Sequence, residues 1–245
     1  MRLSRIFVDH LLDEGVQIQL DADTCHYVKN VLRLKPGTSI ALFNGQNCYD
    51  YESLLSYEGK LAIATIQNQI VRHTEPVLST EIIQGLSRSD HMDWMIQTCT
   101  ELGITRISIF NAMHTQIPLK SAQLNKKLLH WRNIAIKACE QCGRQIPPQV
   151  SFQQNLANVI KETPQHTMKI LLTFNGIRLP AKSMQDSANQ QITVLVGPEG
   201  GLSETEVGLA KSEGFIATRL GPRILRTETA AATALAILQY NYGDI

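Results

Sequence analysis

"ITVLVGPEGGLSETE", residues 192–206, decides the fold. Val194, Leu195 and Val196 form an unbroken apolar run of the kind that is buried on both faces in a parallel sheet. The glycine-rich residues 197–201 follow at its carboxyl end. Ser203 and Glu206 then stand in the S-x-x-E spacing of a capping box, so a helix starts just past the loop. Strand, glycine loop and helix make the unit at which open α/β sheets hold their ligands.

The loop fails both phosphate fingerprints. It lacks G-x-G-x-x-G, and it lacks the lysine and Ser/Thr of a P-loop. It also carries an acid, Glu199. A carboxylate about 4 Å from a phosphate costs roughly 1 to 4 kcal/mol at effective dielectrics of 80 to 20. Backbone N–H groups beside an acid suit a ligand with sugar hydroxyls or positive charge.

Outward from this stretch, strand and helix patterns alternate from about residue 77 to the end. "STEIIQGL", "ITRISIFNA", "KILLTF", "QITVLVG" and "IATRLG" read as strands. "SDHMDWMIQTCTELG", "QLNKKLLHWRNIAIKACEQCG", "LANVIKET", "SETEVGLAKSEG" and "TETAAATALAILQYNY" read as helices. That alternation predicts a parallel sheet covered on both faces. Residues 1 to about 72 have another texture, with short β-rich runs between the turns "KPG", "NGQN" and "EGK" and one helix in "DADTCHYVKNVLRL". Several short strands with one helix predict a small barrel. The domain boundary falls near residues 72–76.

A second signal lies one unit after the glycine loop, in "TRLGPRILRTETAAATAL". Gly221 and Pro222 turn the chain out of a strand, and Arg223 and Arg226 flank apolar Ile224 and Leu225. Thr227 is placed to cap the last helix, and Glu228 complements its dipole. Arginines between a strand end and a helix start favour an anionic or planar target such as RNA.

The 245-residue chain is 43% apolar with a formal net charge of +1, so bulk charge predicts no polyanionic partner. Any RNA contact rests on local patches. Lys29, Arg33 and Lys35 cluster without acids, close in sequence to Arg2 and Arg5. Residues 119–150 hold six basic residues, Arg144 among them, against one acid, Glu140. The N-terminal stretch has no signal-peptide pattern and no apolar run approaches a membrane span, while five scattered cysteines suit reduced thiols. A cytoplasmic location without membrane attachment is expected. "CEQC", residues 139–142, lies in a helical pattern without a second pair, and no histidines show ligand spacing, so no metal is expected. Trp94 and Trp131, at helical positions, are expected in the core.

Taken together, "GPEGGLSETE" and "LGPRILRTETAAATAL" resemble the signature of the RsmE-type 16S ribosomal RNA uridine-N3 methyltransferases, of the SPOUT class. "HYVKNVLRLKPG", "DHMDWMIQTCTELGI" and "HWRNIAIKACEQCGRQIPP" extend the resemblance over nearly the whole chain. It implies a PUA-like RNA-binding barrel over residues 1–73. Over 74–245 it implies an α/β parallel-sheet methyltransferase domain with a C-terminal trefoil knot, an exception to the rule against threaded loops. It further implies a homodimer acting on 16S ribosomal RNA of the small subunit, with S-adenosylmethionine as cofactor.

Carried over by motif, three segments surround that cofactor. They are Leu172, Thr173 and Phe174; then Leu195, Val196, Gly197, Gly200 and Gly201; then Leu220, Gly221, Ile224, Leu225 and Thr227. S-adenosylmethionine has no phosphate, two ribose hydroxyls and a sulfonium, which answers the charge argument at Glu199. Arg226, with Arg223 second, is expected to stabilise charge on the base, while Glu199 and Glu228 both remain candidates for the proton. RNA contacts are expected at Arg2, Arg5, Lys29, Arg33, Lys35, Arg88 and Arg144. The sequence departs from the family pattern at Arg88 and Ser89, where a lysine-glycine pair is usual before the "DRM"-like segment, and at Thr98, Gln116, His130 and Lys137. The alternatives are a SPOUT enzyme of different RNA chemistry, such as ribose 2′-O-methylation, a dinucleotide-dependent enzyme, and a non-catalytic ribosomal RNA-binding factor.

Overall fold

The structure is a computed structural model that describes residues 3–164, 167–179 and 191–245. The chain divides into two compact units, Met1–Glu75 with Cys139–Pro147, and Pro76–Ala138 with Pro148–Ile245.

In the first unit, β1 (Ser4–Phe7), β2 (Gln17–Gln19), β3 (Ser39–Phe43), β4 (Tyr49–Glu58) and β5 (Leu61–Val71) form one sheet in the order β1-β3-β4-β5-β2. Only β1 and β3 pair in parallel; the other pairs are antiparallel. Ile6, Val28, Ile40, Leu42, Leu55 and Ile66 fill its core. The predicted helix is short. α1 (Ala22–His26) is capped by Asp21, whose carboxylate accepts from the Thr24 N–H, and it passes into a π-helical turn over Tyr27–Val31.

Among the described residues the second unit holds six strands, all parallel. They are β6 (Ser79–Gly85), β7 (Arg106–Phe110), β8 (Gln149–Gln153), β9 (Met168–Arg178), β10 (Gln191–Val196) and β11 (Ile216–Arg219), in the order β11-β9-β10-β6-β7-β8. The helices are α2 (Ser89–Glu101), α3 (Ser121–Cys142, of which 139–142 belong to the first unit), α4 (Leu156–Glu162), α5 (Glu204–Ser212) and α6 (Thr227–Tyr242).

The apolar run of β10 is buried on both faces. Val194 and Val196 join Ile82, Ile107, Met95 and Leu235 in a core under α2, α3 and α6. Leu195, pointing the other way, joins Ile83, Phe110, Val159 and Ala210 under α4 and α5. The expected parallel α/β sheet covered on both faces is therefore present.

Several details differ from expectation. The edge strand β8 carries no signal beyond "QVSFQ" and was not anticipated. β9 runs on past Phe174 because Gly176 lets the backbone of β11 come close; a Cβ there would lie 2.4 Å from the Thr218 nitrogen. Thr227 caps nothing: Arg226 holds the N-cap position of α6, with no side-chain cap. Trp131 is buried as expected, whereas Trp94 is 47% exposed.

Candidate active site

The chain leaves β6 into α2 on one face of the sheet and leaves the neighbouring strand β10 into α5 on the other. Adjacent parallel strands whose connections diverge in this way open a crevice at their carboxyl ends. A cavity of about 810 Å³ lies there, within the range of small-molecule sites. β9 contributes Leu172, Thr173 and Phe174 to its wall. The loop after β10 contributes Val196, Gly197, Glu199 and Gly201. Leu220, Gly221, Arg223, Ile224, Leu225, Arg226 and Thr227 come from the segment after β11. Arg88, His91, Gln116 and Glu228 complete it.

Two residues named for this pocket from the sequence stand apart from it. Leu195 is fully buried in the α4–α5 core, because alternation along β10 turns its side chain away from the face of its neighbours. Gly200 packs instead against His114; a Cβ on Gly200 would lie 2.8 Å from the His114 Cβ and 3.1 Å from its carbonyl oxygen.

Buried polar side chains hold the loops in register. Gln84, at the end of β6 and 1% exposed, donates to the Gly197 carbonyl at 3.3 Å and to Thr227 Oγ1 at 2.9 Å. Thr227 Oγ1 in turn donates to the Gly197 carbonyl at 2.6 Å. Thr227 thus ties the segment after β11 to the glycine loop rather than capping α6. The expected capping box is formed by Ser203 and Glu206. The second oxygen of Glu206 also accepts from the Met113 N–H at 3.0 Å, anchoring the start of α5 to the segment after β7.

Glu199 is turned inward. Its carboxylate accepts from the Arg88 backbone N–H at 3.1 Å and faces His91 Nδ1 at 2.9 Å. Arg88 Nη2 lies 2.7 Å from His91 Nε2. A guanidinium only donates, so Nε2 accepts and the imidazole proton sits on Nδ1, pointing at Glu199. Burial works to raise the Glu199 carboxyl. The Arg88 N–H, its own N–H and His91 outweigh it and hold the group below the ordinary carboxylate range.

Glu228, in the first turn of α6, is the second carboxylate. It is 8% exposed, its Oε2 lies 3.6 Å from His91 Nδ1, and that oxygen has no hydrogen-bond partner among the described residues. His91 and Gln84 were the residues that sequence reasoning missed. Gln84 ends β6 and His91 lies in the first turn of α2 just after it, and the pairing of β6 with β10 brings both to the glycine loop. Arg223 and Arg226 are exposed on the cavity wall and make no ion pair among the described residues.

The basic residues expected at RNA divide sharply. Arg5 is 8% exposed; its guanidinium pairs with the fully buried Asp50 at 2.8 Å and donates to the Arg144 and Cys139 carbonyls. Arg144 is 4% exposed and pairs with Glu75 at 3.1 Å. Both are corrected to internal structural roles in the first unit, because each guanidinium is itself buried and held by a carboxylate, Arg5 by the fully buried Asp50 and Arg144 by the partly buried Glu75. Lys29, Arg33 and Lys35 are exposed. Arg88 is at the cavity, and Arg2 lies outside the described residues.

Among the described residues no group of His, Cys, Asp and Glu could hold a metal ion, and no helix is long and apolar enough to cross a membrane. Cys139 of the "CEQC" pair is buried, which pushes its thiol up to about 12, away from reactive thiolate character.

A parallel sheet with a glycine-rich loop, two carboxylates and exposed arginines around one cavity at its switch point defines an α/β class that binds a small molecule at the carboxyl ends of its strands. The chain belongs to the RNA methyltransferase domain family, whose model matches residues 73–239. Proteins named Ribosomal RNA small subunit methyltransferase E match over full length. That of Buchnera aphidicola subsp. Schizaphis graminum is 32% identical, covering 100% of this chain and 98% of the relative. That of Bacillus subtilis is 27% identical over 97% and 96%. Two solved structures cover 100% of both chains. A methyltransferase from Legionella pneumophila, in complex with the bound cofactor SAM, has a TM-score of 0.90 at 30% identity. A Ribosomal RNA small subunit methyltransferase E from Neisseria gonorrhoeae, bound to S-adenosyl methionine, has 0.87 at 31%.

Proposed function

We propose that the chain methylates N3 of a specific uridine in 16S ribosomal RNA, using S-adenosylmethionine bound in the cavity at the ends of β9, β10 and β11. The observation that carries this is the cavity's chemistry. It has apolar walls for a nucleobase, glycine backbone where a ligand must approach closely, two carboxylates, and arginines left without ion pairs. A Cβ at Gly197 would lie 3.1 Å from the Leu202 nitrogen, so glycine there lets the loop fold tightly on itself at the cavity wall. These features fit S-adenosylmethionine, and relatives solved with that cofactor support the reading. When bound, the cofactor supplies an electrophilic methyl group on a sulfonium.

The chain's own residues supply the rest. Leu172, Val196, Leu220, Ile224 and Leu225 enclose the ligand. Arg226, with Arg223 beside it, stabilises the negative charge that develops on O2 and O4 of uracil as N3 loses its proton. Holding N3 in line with the methyl group supplies much of the rate. Arg88 with Lys29, Arg33 and Lys35 contributes RNA contacts.

In this reading residues 1–73 are a PUA-like RNA-binding barrel and residues 74–245 a SPOUT domain with a C-terminal trefoil knot. The enzyme acts as a cytoplasmic homodimer on the small ribosomal subunit. Nucleoside mass spectrometry of 16S RNA from a strain lacking the gene tests the function. Loss of one 3-methyluridine, restored by the gene, is expected; an unchanged nucleoside profile contradicts it.

A further inference from the structure

We propose that Glu228 is the group that takes the N3 proton, and that Glu199 with His91 positions the site around it. The assignment rests on the uridine-N3 reading above. Two carboxylates line one cavity, and their surroundings divide the labour between them. Glu199 is already occupied by the Arg88 N–H at 3.1 Å and His91 Nδ1 at 2.9 Å. A carboxylate that accepts fixed donors is a weak base and a good anchor. Glu228 is 8% exposed, lines the same cavity, and its Oε2 has no hydrogen-bond partner among the described residues.

An orphaned buried carboxylate oxygen is costly, and such a group persists where a ligand donor completes it. The imide N3–H of uracil is a donor of that kind, and a carboxylate accepts it at ordinary hydrogen-bond length. His91 Nδ1, 3.6 Å from Glu228 Oε2, is too committed to Glu199 to satisfy it. Glu228 belongs to the helix turn that begins beside Arg226, so the proton acceptor and the cation for the developing charge are two residues apart.

The step balances. The N3–H bond breaks and its proton passes to Glu228 Oε2. The N3 electron pair forms the bond to the methyl carbon. The carbon–sulfur electron pair stays on sulfur and cancels its positive charge. The proton leaves Glu228 for water once the methylated base departs.

The test compares wild type with Glu228→Gln and Glu228→Asp on small subunits lacking the modification, under single turnover from pH 6 to 9, with calorimetric titration of S-adenosylmethionine. Glu228→Gln is expected to slow methylation on the order of 100-fold at pH 7, the scale of general-base catalysis. Its rate should climb with pH as the imide ionises without help, while the wild-type rate stays flat above neutrality. Glu228→Asp, which keeps the carboxylate, should lose less and keep the flat profile. Cofactor affinity should stay within about twofold in both. A Glu228→Gln loss that does not shrink with pH, or weaker cofactor binding that accounts for the loss, overturns the assignment and makes Glu228 a structural or cofactor-binding group. A wild-type reaction without 3-methyluridine overturns the underlying reading as well.

Discussion

His91 Nδ1 and Glu199 Oε1, separated by 108 residues in sequence, meet at 2.9 Å. The contact bridges α2 and the glycine loop, so two connections that diverge to opposite faces of the sheet are tied at the crevice between them. The acid that a phosphate loop would exclude is therefore part of the cavity's frame.

That contact has a pH signature. The folded-state pKa of Glu199 is depressed, so its contribution to stability is present above the ordinary carboxylate value of about 4.3 and is lost as pH falls through the lower folded value. Thermal unfolding of wild type and Glu199→Gln should show a melting-temperature gap that narrows on acidification below the ordinary value of about 4.3. A gap that widens on acidification contradicts the depressed pKa.

Arg226→Ala removes a cation from the cavity wall without touching the sheet. Turnover should fall roughly 100-fold, the scale of losing one charge-stabilising donor, with cofactor affinity within about twofold. Equal losses in turnover and cofactor affinity would make Arg226 a cofactor ligand instead.

Gly200→Ala forces a methyl group to 2.8 Å from the His114 Cβ. The expected cost is about 1–3 kcal/mol of stability, as for overpacking elsewhere, with weaker cofactor binding because the loop must shift. Chemical denaturation and calorimetry read the two effects; a neutral substitution would mean that the loop is not held against His114.

Arg5 and the exposed basic residues should part company. Arg5→Ala strips one of two cations from the fully buried Asp50, which keeps Arg72 at 3.0 Å, and should cost about 1–3 kcal/mol in denaturation. Lys29→Ala and Arg33→Ala should leave stability alone. They should weaken RNA binding and flatten its salt dependence by about 0.7 to 0.9 per lost phosphate contact. RNA affinity that ignores Lys29 and Arg33 would remove them from the interface.

Much of this architecture is legible in sequence where one segment carries the whole signal. The apolar triplet at 194–196, the Ser203–Glu206 box and the turn at Gly221 each state their own local structure. What sequence hides is the pairing of distant segments. Nothing in "SDHMDW" says that β6 lies beside β10, so His91 reads as a scattered histidine until the strand order is known. The same blindness misassigned Arg5 and Arg144, whose carboxylates Asp50 and Glu75 stand 45 and 69 residues away. Thr227 reads as a cap because caps are local, whereas its hydroxyl reaches the carbonyl of Gly197, 30 residues back. Leu195 was grouped with the cofactor segment by motif, although strand alternation turns it to the opposite core.

The central claim is a methyl group delivered to uridine N3 from this cavity. Purified protein, small subunits lacking the modification and methyl-labelled S-adenosylmethionine test it directly, with the RNA digested to nucleosides and the labelled product identified by chromatography and mass. The account predicts label in 3-methyluridine at a single position of 16S RNA, appearing roughly 100-fold more slowly with Arg226→Ala. Label in a 2′-O-methyl nucleoside, in another base, or in no nucleoside at all would contradict it.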